Sequence, residues 1–318
     1  MKLVYLEGRS VGTDISLERF RDFGDFTCYD VADAEKTVER IADADIVMVN
    51  KSKLTAEILQ QAEHVKLICE MATGFDNIDT AYCKEHGIAV VNAGHYSTDA
   101  VAQHTFALAL SLLARLPFYD RYVKSGAFCK SESFCYYDLP ITEISGKTWG
   151  IVGLGEIGRR VAQIAEVFGC EVIYTSTSGR NTNAGYEQVS FEELLKRSDL
   201  ISVHCPLNEK TFHLFSDDAF EKMKRTAILI NVARGSVVDQ QALYQALQNE
   251  KILAAGLDVL EKEPMSEDNP LLGITDSSKL IITPHNAWAS VEARERDAQI
   301  TYDNIQAFLN GEKKNRIV

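Results

Sequence analysis

Positive charge is scarce in this chain: 33 Lys and Arg stand against 46 Asp and Glu, a formal net charge of −13. That balance argues against a nucleic-acid backbone or an anionic membrane as the main partner, since both are recognised through clustered cations. No Cys-x-x-Cys pair occurs. The seven cysteines (Cys28, Cys69, Cys83, Cys129, Cys135, Cys170 and Cys205) are odd in number and scattered. They suit reduced thiols in a cytoplasm better than a disulfide framework or a zinc site. The chain opens on a β-prone run, Met1 to Leu6, without a long apolar stretch and cleavage site, so no secretory leader is expected. Its most apolar stretch, residues 98–116, is interrupted by Gln103, His104 and Arg115 and reads as a buried helix rather than a membrane span. No two histidines have helical metal spacing, so no metal is expected. Repeats and low-complexity tracts are missing too; 176–185 is the one polar patch.

What is present is an ordinary globule long enough for two domains, with 318 residues, 46% of them hydrophobic and 25% charged. Up to about residue 95, short apolar runs at 3–6, 45–49, 67–69 and 89–91 alternate with helical patterns at 33–42, 55–62 and 78–86. This is a βα region without a glycine fingerprint at its first turn, and it is the better candidate for holding a substrate. A long helix is expected from 98 to about 124, with Pro117 as the point where it kinks or breaks. An aromatic loop with Phe134, Tyr136 and Tyr137 follows. From 147 the alternation becomes regular. Strands are expected at 148–152, 171–175, 200–204, 227–231, 254–256 and 280–282, and helices at 156–168, 191–196, 217–222, 240–248 and 290–309.

The first of those turns carries chemistry. The run Thr148 to Val152 leads into Gly153-Leu154-Gly155-Glu156-Ile157-Gly158, and a helical pattern follows. Gly153 allows a sharp turn, Gly155 lets the backbone approach a pyrophosphate, and Gly158 lets helix and strand lie close. The helix start then offers unpaired N–H groups to the phosphates. In this context the motif signals a bound dinucleotide.

Segments beyond the fingerprint resemble the D-isomer-specific 2-hydroxyacid dehydrogenase family. They are Met71-Ala72-Thr73-Gly74-Phe75-Asp76-Asn77-Ile78-Asp79, residues 94–109 and 150–158, and His204-Cys205-Pro206-Leu207. Asn231-Val232-Ala233-Arg234-Gly235-Ser236, Gly256-Leu257-Asp258-Val259 with Glu263-Pro264, and Pro284-His285-Asn286-Ala287-Trp288-Ala289-Ser290 complete the set. The resemblance implies an α/β protein of two Rossmann-like domains with doubly wound parallel sheets and an active site in the interdomain cleft. The substrate domain would be 1–96 with 290–318, and the dinucleotide-binding domain 97–289.

Oxidising a 2-hydroxy acid requires a base for the hydroxyl proton, a hydride acceptor for C2 and a cation for the carboxylate; reduction reverses the roles. By the resemblance Arg234, Glu263 and His285 are catalytic. Imidazole is the side chain that titrates near neutrality, as a proton shuttle must. Glu263 would hold one ring nitrogen and favour the imidazolium. Arg234 would bind the carboxylate and polarise the keto oxygen with its forked donors. Without the family pattern, an Arg after a strand reads as solvated, a Glu before Pro as a turn residue and a lone His as structural. Substrate contacts are expected from Ala72, Thr73, Gly74, Arg234, His285 and Trp288, with Asn50 and Lys51 as weaker candidates. Cofactor contacts are expected from Thr73, Gly153, Gly155, Glu156, Ile157, Gly158, Ser176, Cys205, Pro206, Val232, Ala233, Arg234, Asp258, His285 and Ala287. His104 reads as packed in its helix or at an interface, and His204 as able to line the nucleotide crevice. His64, His86, His95 and His213 have no partner that the sequence names.

An acidic residue usually ends the second strand of NAD-selective domains. Here that position is about Ser176, with Thr177, Ser178 and Arg180 nearby, so the cofactor is NAD or NADP with a slight lean to NADP. Trp288 and residues 134–140 look like the glycerate dehydrogenase/hydroxypyruvate reductase branch. The expected partner is therefore a small 2-keto or 2-hydroxy acid of the hydroxypyruvate, glyoxylate or D-glycerate type, handled by a homodimer in the cytoplasm. The alternatives are a nucleotide-sensing, corepressor-like binding protein of the same fold and a D-lactate-type dehydrogenase. Formate-dehydrogenase-like chemistry is disfavoured because Glu263 stands where that branch resembles Gln.

Overall fold

Runs such as IVMV at Ile46–Val49 and ILIN at Ile228–Asn231 are apolar without alternation because all four residues of each are buried. Such strands belong inside parallel sheets with helices on both faces. The computed structural model describes residues 1–179 and 185–318. It divides into two units, Met1–Ser97 with Ala289–Val318, and Thr98–Trp288.

In the first unit, strands β1 (Lys2–Tyr5), β2 (Asp25–Cys28), β3 (Ile46–Val49), β4 (Leu67–Glu70) and β5 (Ala89–Asn92) pair in parallel in the order β2-β1-β3-β4-β5. Successive side chains leave on opposite faces. Val4, Val47, Val49, Ile68 and Val90 enter one apolar cluster, while Leu3, Tyr5, Ile46, Met48 and Leu67 enter the other. Helices α1 (Thr37–Ile41), α2 (Ala56–Leu59) and α3 (Thr80–Glu85) are shorter than their sequence patterns suggest. Thr55 precedes α2 in extended conformation but makes no side-chain cap, whereas Asp79 caps α3 by accepting from Tyr82 N.

The second unit starts with helices α4 (Thr98–Leu113) and α5 (Leu116–Lys124). The expected break comes before Pro117, at Arg115, whose φ of 54° is left-handed. Pro117 instead lies in the first turn of α5, where a missing N–H costs no helical bond. No single helix among the described residues is long and apolar enough to cross a membrane.

Strands β6 (Thr148–Val152), β7 (Glu171–Thr175), β8 (Glu187–Gln188), β9 (Leu200–Val203), β10 (Ile228–Asn231), β11 (Ala254–Leu257) and β12 (Leu280–Ile282) form a parallel sheet in the order β12-β11-β10-β9-β6-β7-β8. Helices α6 (Glu156–Val167), α7 (Phe191–Arg197), α8 (Asp217–Lys222) and α9 (Gln240–Gln248) connect them. One face packs with α4 and α6 around Trp149, Phe106 and Val161; the other packs around Phe215, Phe220 and Leu243. Each sheet is doubly wound. The chain then re-enters the first unit through α10 (Val291–Leu309), capped by Ser290, and Ile305 joins the cluster beneath Leu3 and Leu67.

Candidate active site

In the second unit the strand order reverses between β6 and β9, so the loops after these strands diverge and leave a crevice at their carboxyl ends. After β6, Gly153 turns with φ +94°, and a Cβ there would stand 2.8 Å from the backbone nitrogen of Cys205. Gly158 lies equally close to the strand end: its Cβ would meet the Gly153 carbonyl oxygen at 2.3 Å. Only glycine fits either position. Where a Cβ of Gly155 would sit, no atom of the described residues beyond its chain neighbours lies within 4 Å, and α6 begins immediately after it with Glu156 and Ile157. Open space beside a helix start capped by a glycine, which brings no side chain of its own, can take a pyrophosphate.

Across the crevice, His204 N donates to Val152 O at 2.8 Å and ties the β9 loop to β6. Burial alone pushes the His204 imidazole down to about 3, so it is neutral at physiological pH. Its Nε2 is 2.9 Å from Ser202 Oγ, which also accepts from Trp149 Nε1 at 2.8 Å. His204 is therefore part of the sheet's support. The Cys205 thiol is buried and pushed up to about 11, so it packs as a protonated thiol. Pro206 follows and accepts from Thr211 Oγ1 at 2.8 Å. At the end of β7, Ser176 Oγ accepts from Gly179 N at 3.1 Å. Arg180, the cation expected beside it, lies outside the described residues.

Three further loops are joined by backbone hydrogen bonds at the same edge. Asp258 N, just past β11, donates to Asn231 O at 2.9 Å, and His285 N, past β12, donates to Asp258 O at 2.8 Å. Arg234 is held by the buried Asn231, whose Nδ2 donates to Arg234 O at 2.9 Å while its Oδ1 accepts from Ala233 N at 3.1 Å. That bond shapes the turn carrying Val232 and Ala233. One guanidinium nitrogen of Arg234 donates to Ala233 O at 2.9 Å. Gly235 follows because the loop of Glu263 passes against it: a Cβ would lie 1.9 Å from the carbonyl carbon of Leu260.

His285 Nδ1 and Glu263 Oε2 are 2.6 Å apart, and Glu263 Oε1 accepts from Leu260 N at 2.8 Å. The pair is partly shielded, with side-chain exposures of 26% and 36%, so solvent weakens it without dissolving it. His285 has a left-handed φ of 55°. For a residue with a Cβ this costs about 1–2 kcal/mol, which the surroundings must offset. They do so through Asp258, whose carboxylate is 1% exposed. Its Oδ1 accepts from Thr283 Oγ1 at 2.5 Å and Asn286 N at 3.0 Å, and its Oδ2 from Ala287 N at 2.9 Å. Trp288 Nε1 closes the turn by donating to His285 O at 2.9 Å.

Asp258, expected at the cofactor, and Trp288, expected at the substrate, both hold the His285 turn in the structure. Absent from the sequence pattern are the shaping role of Asn231, the close approach at Gly235 and the reach of His104, whose Nε2 lies 2.9 Å from Thr283 Oγ1. A polar side chain ending an otherwise apolar strand was the available signal for Asn231. Nothing local marks His104, because its partner is 179 residues away. Among the described residues no group of His, Cys, Asp or Glu is arranged to hold a metal ion.

In the first unit the turn at 72–74 leaves the carboxyl end of β4. Ala72 O accepts from Ala93 N at 3.2 Å, and Thr73 O accepts from Asn92 Nδ2 at 2.8 Å. Asn50, another candidate, is 3% exposed and spends its amide on Met71 O at 2.9 Å, so it braces the turn from below.

Comparison with known proteins agrees with this arrangement. Residues 106–287 match the family model of the D-isomer specific 2-hydroxyacid dehydrogenase NAD binding domain. A hydroxypyruvate reductase of Blautia hydrogenotrophica is 35% identical, with 99% of each chain covered. A glycerate dehydrogenase of Methylorubrum extorquens is 38% identical over 99% of this chain and 98% of the relative. Among solved structures, an acyclic imino acid reductase in complex with NADPH and D-Arg superposes with a TM-score of 0.89 at 33% identity, covering all of both chains.

Proposed function

Because the chain belongs to the D-isomer-specific 2-hydroxyacid dehydrogenase family, a family of oxidoreductases, we propose that it reduces hydroxypyruvate or glyoxylate at C2 with NADPH or NADH. The observation that carries the chemistry is the 2.6 Å contact between Glu263 and His285. A carboxylate on Nδ1 fixes the orientation of the ring and leaves Nε2 to exchange a proton with the substrate. When bound, the nicotinamide supplies the hydride. His285 delivers the proton to the substrate oxygen, so the C=O becomes CH–OH and the ring is left neutral. Arg234 neutralises the substrate carboxylate and polarises the keto oxygen.

The residues present fit a dinucleotide. The turn from Gly153 to Gly158 has the open space and helix start that a pyrophosphate needs. Ser176 stands at the ribose position, with no carboxylate to repel a 2′-phosphate. Cys205, Pro206, Val232, Ala233, Asp258 and Ala287 lie on the loops that follow β9, β10, β11 and β12. The absence of an acidic residue at Ser176 supports NADPH over NADH.

The protein is further proposed to act as a cytoplasmic homodimer. Seven free cysteines support a reducing compartment. Leu116, Val123, Phe134, Tyr137 and Ile141 are large apolar side chains left exposed on α5 and the loop after it, and they support a second copy. Mixing the purified protein with NAD(P)H and a panel of 2-keto acids tests the reaction. Absorbance of the reduced nucleotide should fall fastest with hydroxypyruvate or glyoxylate. His285→Ala should lower kcat by about 100-fold or more while nucleotide binding persists. Nucleotide binding without turnover on any acid would point instead to a nucleotide-sensing binding protein.

A further inference from the structure

We infer that His104, on α4, is a positioning residue for the His285 turn, acting through the hydroxyl of Thr283 and the carboxylate of Asp258. This rests on the proton-shuttle reading of His285. The Thr283 hydroxyl has one proton. Its best acceptor is Asp258 Oδ1 at 2.5 Å, while Leu257 O lies at 3.5 Å. With that proton committed, Thr283 Oγ1 is an acceptor toward His104 Nε2 at 2.9 Å. The chain of donors then runs from His104 Nε2–H to Thr283 Oγ1–H to Asp258 Oδ1.

Asp258 is the hub. Its side chain takes Asn286 N and Ala287 N, and its own carbonyl takes His285 N. Asp258 thus fixes three consecutive residues, two through its buried carboxylate and the first, in a left-handed conformation, through its carbonyl. His104 is the outermost link. Its Nε2 is also 3.6 Å from Asp258 Oδ1, and its side chain is 22% exposed. Without it the Thr283 hydroxyl loses the donor that holds its lone pair. It is then free to swing to Leu257 O, which takes one donor from Asp258 and loosens the turn. The helix bearing His104 is firmly seated, with Phe106, Leu108, Ala109 and Leu112 buried in the core beneath β10 and β11, so the link is anchored outside the loops it orders.

The inference differs from simple packing in what it predicts for kinetics. His104→Leu should lower kcat about tenfold, leaving the Kd for NAD(P)H within twofold and Tm within about 2 °C. His104→Gln, which keeps a donor, should recover most of the loss. Thr283→Val should lower kcat at least as much, and Thr283→Ser should restore it. The double variant His104→Leu/Thr283→Val should be no worse than Thr283→Val alone, because both act through one chain of bonds. Parental kcat in His104→Leu, losses that simply multiply in the double variant, or a loss confined to nucleotide affinity would each overturn the inference. Should His104→Leu fail to fold, the Thr283 pair decides in the same way. His285→Ala is assayed alongside. If it turns over normally the proton-shuttle reading falls; if it is inactive while His104→Leu matches the parent, only the present inference falls.

Discussion

Both sheets reverse their strand order once, yet they furnish the reversal in opposite ways. In the second unit the crevice between β6 and β9 is edged by glycine, and among the described residues beyond its chain neighbours no atom stands within 4 Å of the Gly155 side-chain position. In the first unit the reversal falls between β1 and β3, and the protein fills it itself. Glu7, just past β1 and 5% exposed, places Oε1 within 2.7, 2.7 and 2.9 Å of the backbone nitrogens of Asn50, Lys51 and Ser52. Three consecutive N–H groups converging on one oxygen make an anion nest. Here the anion is a side chain. One topology therefore yields a cradle open to a phosphate and another closed by its own carboxylate, which is why fold alone does not assign function.

The sharpest way to break the comparison is to close the open cradle. Gly153→Val combines an unfavourable positive φ with a backbone clash at Cys205, and should weaken NAD(P)H binding by at least about 100-fold, or roughly 3 kcal/mol. Fluorescence titration of the reduced nucleotide measures it, and unaltered affinity would mean that the dinucleotide does not lie on this turn. The converse is to open the closed cradle. Glu7→Ala leaves three converging donors without their acceptor, a loss of about 2–3 kcal/mol in chemical denaturation. Added sulfate should then raise the Tm of Glu7→Ala more than that of the parent, because an anion can bind the vacated nest. Equal sulfate responses would show that Glu7 is not standing in for a ligand.

A smaller effect distinguishes the units by pH. Glu70 ends β4 at 1% exposure, and burial pushes its carboxyl up to about 9, with Glu7 adding to the rise and the Asn77 hydrogen bond opposing it. Its folded-state pKa thus exceeds the ordinary value of 4.5. Stability associated with the neutral acid is complete below pH 4.5 and is lost as pH rises toward 9, since the unfolded chain ionises first. Glu70→Gln should therefore gain stability relative to the parent across that window, by about 1–2 kcal/mol at the alkaline end after solvent and structural relaxation. Paired denaturation curves at pH 5 and pH 9 check it; a difference that does not grow with pH would mean that Glu70 is charged in the fold.

How much of this was legible depended on the range of the forces involved. Strands 148–152, 171–175 and 280–282 and helices 217–222 and 240–248 fall where the residue pattern placed them, since apolar periodicity, glycine and caps act locally. The edge strands β2 and β8 escaped. β2 buries one side chain of four and β8 has two exposed residues, too little to leave a pattern. Position 115 escaped because Arg115 supplies the left-handed turn usually given to glycine, and what holds it is a bond to Ser278 O, 163 residues away. The site divided along the same line. Arg234, Glu263 and His285 were visible as motifs, whereas the braces from Asn231, Asp258 and His104 exist only after folding has brought three strand ends together.

The smallest expected effect concerns the far edge of the open cradle. Ser176 directly follows β7, and its hydroxyl accepts from Gly179 N in a local turn. Ser176→Asp would put a carboxylate where ribose hydroxyls are bound in NAD-selective domains. It would accept hydrogen bonds from NADH and repel the 2′-phosphate of NADPH. The ratio of kcat/KM for NADPH over NADH should fall by about tenfold, or 1.4 kcal/mol, with kcat itself changed little because the substitution lies far along the nucleotide from the hydride. A ratio that stays put would place the adenosine ribose somewhere other than the end of β7. It would also remove the reason for preferring NADPH, while leaving the pyrophosphate turn and the Glu263–His285 pair untouched.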